Sequence, residues 1–213
     1  MMIDTATVAL AALFTTVGPL DVAAVFTAMT ASATLKERQV YAVRGVLSAT
    51  MILLVFAFAG DFLLNSLGIS LAALRTSGGI LLFLIALDMV FARPSGALTT
   101  TSAETDEARL RHDISIFPLA TSLIAGPGAM GVIILLMADS AGDFSRQLIV
   151  LSSLFIIMLL TLSILLMASQ IHRFLGVTGI QVITRISGIL LSALAVQFVF
   201  DGIVQSGLMG GER

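Results

Sequence analysis

Two groups of residues in this chain have the types and spacing to do chemistry. Gly18-Pro19, followed by Asp21, lies inside the apolar run that opens the sequence, and Gly126-Pro127-Gly128 lies inside a later apolar run. Proline in mid-run removes a backbone donor and clashes with the preceding turn, so each run is expected to break there. Pro19 and Pro127 would then start a second half-helix, a position where the missing N–H costs nothing. The remaining free amides of both half-helices would face the gap, with a partial positive charge suited to a carboxylate or another anionic group. Gly18, Gly126 and Gly128 permit the backbone angles and close ligand approach that such a gap requires. Two proline kinks packed against neighbours, with no ligand, are the simpler alternative. Asp21 sits two residues past Pro19, where a charge is costly and therefore a functional candidate: a proton carrier, a cation ligand or the partner of a substrate amine. Its competing role is as an acid in the first turn of the broken helix. The matching position in the second run is Ala129, so any function of Asp21 is one-sided.

Gln197 and Asp201 are four residues apart and share a helix face, which makes them additional polar lining. Asp61, Asp88 and Asp201 lie nearer the ends of apolar runs, where solvated positions are expected. Arg75 and Arg185 are expected to snorkel to opposite surfaces, and Gly78, Gly79 and Gly188 to permit close helix packing. The two histidines, His112 and His172, have no partner at ligand spacing, so no metal site is expected. Cysteine is absent, which excludes disulfides and thiolate chemistry. No nucleophile elbow or phosphate-binding loop occurs, so no enzyme activity and no cofactor are expected. Without a basic tract or an aromatic-basic stripe, nucleic acid is not an expected partner.

The elements that must position these residues are membrane helices. Of the 213 residues, 58% are hydrophobic and 11% charged, with a mean hydropathy of +1.08, beyond the balance of a water-soluble domain. Apolar runs cover about 5–29, 41–64, 69–92, 114–137, 148–169 and 180–205, each long enough for the ~20 residues that cross the hydrocarbon. The opening run is too long for the core of a secretory signal. Asn65-Ser66-Leu67-Gly68 reads as a tight turn, and 93–113 as a polar loop. Basic residues near span ends divide eight against three: Lys36, Arg38, Arg44, Arg93, Arg109, Arg111, Arg173 and Arg185 against Arg75, Arg146 and Arg213. The excess places the central loop in the cytoplasm and both termini outside.

The halves also resemble each other. Gly18-Pro19 precedes Gly126-Pro127 by 108 positions, Leu67-Gly68-Ile69-Ser70 matches Leu175-Gly176-Val177-Thr178, and Arg75 through Leu82 echoes Arg185 through Leu191. Three spans per copy is an odd number, so the second copy enters from the opposite face. An inverted repeat of this kind is the plan of many secondary transporters. The expected fold is therefore an all-α integral membrane protein of six transmembrane helices, arranged as two inverted three-helix repeats with helices 1 and 4 broken at Gly-Pro. It forms a single membrane domain over 1–213, with repeat 1 at about 5–92, the loop at 93–113 and repeat 2 at about 114–207.

Several stretches carry a family resemblance: Gly18-Pro19-Leu20 with Phe26, Gly68-Ile69-Ser70-Leu71, Ser77 through Leu87, Pro118-Leu119-Ala120 and Ala125-Gly126-Pro127-Gly128-Ala129. Together they resemble the MarC family over nearly the whole chain. The resemblance implies a six-span bacterial inner-membrane protein related to the lysine-exporter superfamily, some of whose members are described as neutral amino acid transporters. Asp21 and Ala24 depart from it, standing where many members have glycine and a second proline. The expected function is a secondary transporter, in the exporting direction, of a neutral amino acid or similar zwitterion by alternating access. Binding is expected at Gly18, Pro19, Asp21, Gly126, Pro127 and Gly128. Expected partners are the small-molecule substrate, a coupled proton or cation and the lipid bilayer, with room for a homo-oligomer. A channel-like pore and a non-transporting membrane scaffold are the alternatives.

Overall fold

A computed structural model describes residues 2–30, 33–91 and 115–207, apart from the side chains of 28, 61, 65, 118, 169 and 171–177. The expected loop at 93–113 and the side chains of His112, His172 and Asp61 lie outside these residues. Eight helical segments follow in order: α1 Met2–Val17, α2 Pro19–Met29, α3 Leu35–Leu67, α4 Leu71–Val90, α5 Ser115–Ile124, α6 Pro127–Asp139, α7 Phe144–Leu166 and α8 Ala168–Gln205. No strand occurs among the described residues. Five helical runs are long and apolar enough to cross a membrane: Met2–Thr27, Leu35–Gly60, Leu71–Val90, Phe144–Leu166 and Thr178–Gln205. A sixth is obtained if α5 and α6, bent by 58°, form one span.

Local sequence explains the helix ends. A capping box starts α3: the Thr34 N–H and hydroxyl both donate to Glu37 Oε2, at 2.7 and 2.8 Å, and the Glu37 N–H returns to Thr34 Oγ1 at 3.3 Å. The α3–α4 turn uses Gly68 at φ 66, with the Ile69 N–H reaching back to the Leu64 carbonyl at 2.9 Å. Ser70 then caps α4 by accepting from the Ala73 N–H at 3.2 Å. In the second half, Leu175-Gly176-Val177-Thr178 lies inside α8, so this landmark of the expected repeat is a turn in one half and helix in the other. Glycine permits a left-handed turn without imposing one. Asn65-Ser66 favours leaving the helix before Gly68, whereas Phe174-Leu175 does not favour leaving it before Gly176.

The helices sort their faces for lipid. On α3 the exposed side chains are Leu47, Met51, Val55, Phe58 and Phe62, a stripe at helical spacing. Its buried side carries Ala42, Ala49, Leu53 and Ala57, together with Gly45 and Gly60. A Cβ on Gly45 would collide with the Leu119 side chain, and one on Gly60 would meet Ile134 at 2.8 Å. Since lipid is as apolar as leucine, small residues that let helices approach are what hold such a bundle together.

The halves pack across each other. The α1 helix lies on α7 and α6, and α2 on α7 and α8, while α5 lies on α3 and α6 lies on α3 and α4. The most extensive contact joins α4 to α8. A Cβ on Gly79 would fall 2.7 Å from the Ala195 carbonyl oxygen and 2.8 Å from Val199 Cγ2, and one on Gly188 would fall 3.0 Å from the Ala86 carbonyl oxygen and 3.1 Å from Val90 Cγ2. Gly202 approaches Ala72 and Thr76 in the same way. Contacts that climb one helix while descending the other make α4 and α8 antiparallel, and Gly79, Gly188 and Gly202 are close-packing glycines of the pair.

Candidate functional site

Most hydroxyls in the spans are satisfied by their own helix. Thr15 and Thr16 donate to the carbonyls of Ala11 and Ala12, each at 2.7 Å, and Thr27, Thr50 and Thr161 bond four residues back in the same way. Such groups have spent their one donor and keep only acceptor lone pairs for a solute. Thr184 differs: its hydroxyl donates across the bundle to Asp21 Oδ1 at 2.6 Å, joining the first apolar span to the last. Thr121 in α5 also differs, because its buried Oγ1 has no hydrogen-bond partner.

Backbone geometry places Asp21. Between α1 and α2, Gly18 adopts φ 56 and ψ 58, with Pro19 opening α2. The Gly18 N–H still bonds to the Phe14 carbonyl at 3.0 Å, and the Val22 N–H to the Gly18 carbonyl at 2.9 Å. The left-handed conformation favours glycine at this position, and a Cβ here would sit 3.3 Å from Asp21 Oδ2. Gly18 and Pro19 are buried and Asp21 is half-buried. Beside them is a cavity of about 10 Å³, lined by Phe14, Thr15, Gly18, Pro19, Leu20, Asp21, Met89, Ile183, Thr184 and Ser187. That is room for about one water and too little for an amino acid.

The second Gly-Pro group has a different local structure. Gly126 is extended, at φ −66 and ψ 170, and Pro127 opens α6. Before it, α5 is a wide helix of π type, in which the Ala125 N–H reaches the Ala120 carbonyl at 2.9 Å. Phe117 is extended, at φ −129 and ψ 127, as the residue before a proline tends to be. Helical segments of π type occur often at functional positions. Gly126 is buried, Pro127 exposed and Gly128 half-buried. A Cβ on Gly128 would meet Ile85 Cδ1 at 2.8 Å. Gly126, Pro127 and Gly128 do not line the cavity beside Asp21, so the two Gly-Pro groups do not share that space.

Gln197 and Asp201 occupy a third place. Gln197 Nε2 donates to Asp201 Oδ1 at 2.8 Å, and both line a cavity of about 300 Å³ with Asp4, Thr5, Val8, Leu136, Asp139, Ser140, Arg146, Leu194 and Phe198. Asp139 pairs with Arg75 and, at 3.5 Å, with Arg146. Arg75 is thus an ion-pair partner at this end of the bundle rather than a snorkelling side chain, because the C-terminus of α6 delivers a carboxylate to it. At the other end Arg38 Nε donates to the Thr30 carbonyl at 2.9 Å, beside a cavity of about 50 Å³. Neither Thr184 nor Thr121 is identifiable as a site residue from sequence. A threonine in an apolar run gives no sign of whether its own helix will satisfy it.

Among the described residues no group of three or more His, Asp or Glu side chains could hold a metal ion. No solved structure matches the chain. Residues 3–206 match the family model described as MarC family integral membrane protein. A UPF0056 membrane protein of Methanocaldococcus jannaschii is 36% identical over 195 residues, which is 92% of this chain and 94% of the relative. One from Aquifex aeolicus is 38% identical over 171 residues, 79% of this chain and 78% of the relative. UPF0056 membrane protein YhcE of Escherichia coli is 36% identical over 191 residues, 90% of this chain and 88% of the relative. With its apolar helical bundle and a match over nearly its full length, the chain belongs to the MarC family of integral membrane proteins.

Proposed function

We propose that this protein is a secondary transporter, in the exporting direction, for a small zwitterion such as a neutral amino acid, with Asp21 as its working carboxylate. One observation carries the reading: the Thr184 hydroxyl, in the last span, is spent on a carboxylate in the first span rather than on its own helix. A charged group inside a membrane span is expensive to keep, and it is ordinarily retained for use. The bond joins helices from the two halves, so it would have to break and re-form if one half moved against the other.

The antiparallel α4–α8 pair supports an inverted repeat. Gly79 and Gly188, Ala86 and Ala195, and Val90 and Val199 are each separated by 109 positions, and each glycine packs on the other helix's alanine and valine. A two-fold axis in the membrane plane would produce such reciprocity. The small space beside Asp21 then belongs to a state without substrate, and alternating access would widen it toward either side in turn. In the proposed orientation the protein lies in the bacterial inner membrane, with the Asp4 end of the bundle in the periplasm and a coupled proton or cation carried by Asp21.

The test is uptake into liposomes containing the purified protein, across a panel of radiolabelled neutral amino acids. Saturable transport of at least one is expected, reduced at least tenfold by Asp21→Asn. Wild-type protein that moves none of them would remove the proposed substrate class, and an Asp21→Asn variant with undiminished transport would remove the site assignment.

A further inference from the structure

The cavity of about 300 Å³ at the Asp4 end lies away from the Asp21–Thr184 bond and has a chemistry of its own. Its lining on α8 runs from Leu194 to Asp201, or ~10 Å along the helix at 1.5 Å per residue. One wall is apolar, made of Val8, Leu136, Leu194 and Phe198. Opposite charges are present but unevenly matched. Asp139 is compensated by both Arg75 and Arg146, whereas Asp201 is held by the neutral amide of Gln197. No ion pair to Asp201 occurs among the described residues. Asp201 lies four residues before the end of the apolar span Thr178–Gln205, and its bond to Gln197 is exposed, so the carboxylate is open to an incoming cation. A pocket of this size, apolar with a few convergent polar groups, is the usual form of a small-molecule site.

We propose that this vestibule binds a primary ammonium group carried on an apolar body, with the ammonium at Asp201 and the body against Leu194 and Phe198. The site goes beyond the transport reading and does not require that anything pass Asp21. The ammonium could come from a free organic amine or from the headgroup of an ethanolamine phospholipid, since both present the same group to Asp201.

Isothermal titration of the full-length protein in phosphatidylglycerol nanodiscs distinguishes these cases, with benzylammonium chloride as the probe. Saturable binding is expected for benzylammonium and not for benzyl alcohol or benzoate, which keep the body and change the head. Asp201→Asn should weaken binding at least tenfold. Leu194→Trp, which fills the cavity without touching the charge, should abolish it, with thermal melting of each variant as the folding control. Repeating the titration in nanodiscs containing phosphatidylethanolamine identifies the source: loss of probe binding assigns the site to the lipid headgroup, and unchanged binding assigns it to a free amine. The proposal is overturned if benzyl alcohol binds as well as benzylammonium, or if both folded variants bind as wild type does.

Discussion

The reciprocal glycine contacts between α4 and α8 make a quantitative prediction. An alanine Cβ at position 79 would lie 2.7 Å from a backbone oxygen and 2.9 Å from a backbone nitrogen of α8, neither of which can rotate away. Restoring ordinary contact at 3.4 Å needs about 0.7 Å of helix separation, which also loosens the neighbouring packing. Overpacking of this kind costs about 1–3 kcal/mol, against a favourable change of about 1 kcal/mol from replacing a helical glycine by alanine. Gly79→Ala and Gly188→Ala should each give a net destabilisation of up to about 2 kcal/mol. Gly131→Ala is the internal control, because a Cβ there meets nothing within 4 Å and only the propensity term of about 1 kcal/mol remains. The double variant at 79 and 188 should cost less than the two single costs combined, since helices pushed apart at one place are already farther apart at the other. Unfolding in mixed micelles with increasing sodium dodecyl sulfate, followed by helical circular dichroism, gives the midpoints of the three single variants and the double variant. If all three single variants unfold together, or if Gly131→Ala is the weakest, α4 and α8 are not in backbone contact and the case for a two-fold axis is lost.

Two further expectations concern the site and the topology. Thr184→Val keeps the shape and removes the donor, so it should lower stability by about 1.5–3 kcal/mol, the range for a hydrogen bond to a charged group. The same detergent titration should show that effect shrinking sharply in an Asp21→Asn background, and an undiminished effect would mean that Thr184 acts through packing alone. Because the chain has no cysteine, single cysteines at Ile3, Ser145 and Lys36 can be labelled without background. A membrane-impermeant maleimide applied to whole cells should label positions 3 and 145 and leave position 36 unlabelled until the cells are opened. Labelling of position 36 together with position 3 in whole cells would contradict the proposed six-span arrangement.

What is legible in the sequence is what depends on local backbone chemistry. The apolar runs foretell the long helices, Asn65 through Gly68 foretell the α3–α4 turn, and Pro19 and Pro127 each open a helix. The glycines at 79 and 188 are legible as packing positions because small residues in a membrane helix have few other uses. Partnerships at long range are not legible. Thr184 lies 163 residues from Asp21, and nothing near Thr184 announces a carboxylate. Arg75 reads as a snorkelling side chain in sequence because its partner Asp139 stands in another helix. The extension of α8 back to Ala168 is hidden because a glycine-containing stretch similar to a known turn need not itself turn.

The structure separates scaffold from chemistry. Cross-packing of the halves is nearly reciprocal, with α1 and α2 lying on α7 as α5 and α6 lie on α3. Polar groups break that reciprocity: Asp21 has Ala129 as its counterpart, and Ala129 is fully buried. A symmetric scaffold can pass between two mirrored states of nearly equal energy, because the packing that opens on one side resembles the packing that closes on the other. A single carboxylate placed off that symmetry makes the states unequal whenever its charge or its occupant changes. In the transport cycle proposed above, that bias would be exerted where α2 meets α8, and the Asp21–Thr184 bond would be where a proton, a cation or a solute has leverage over which side is open.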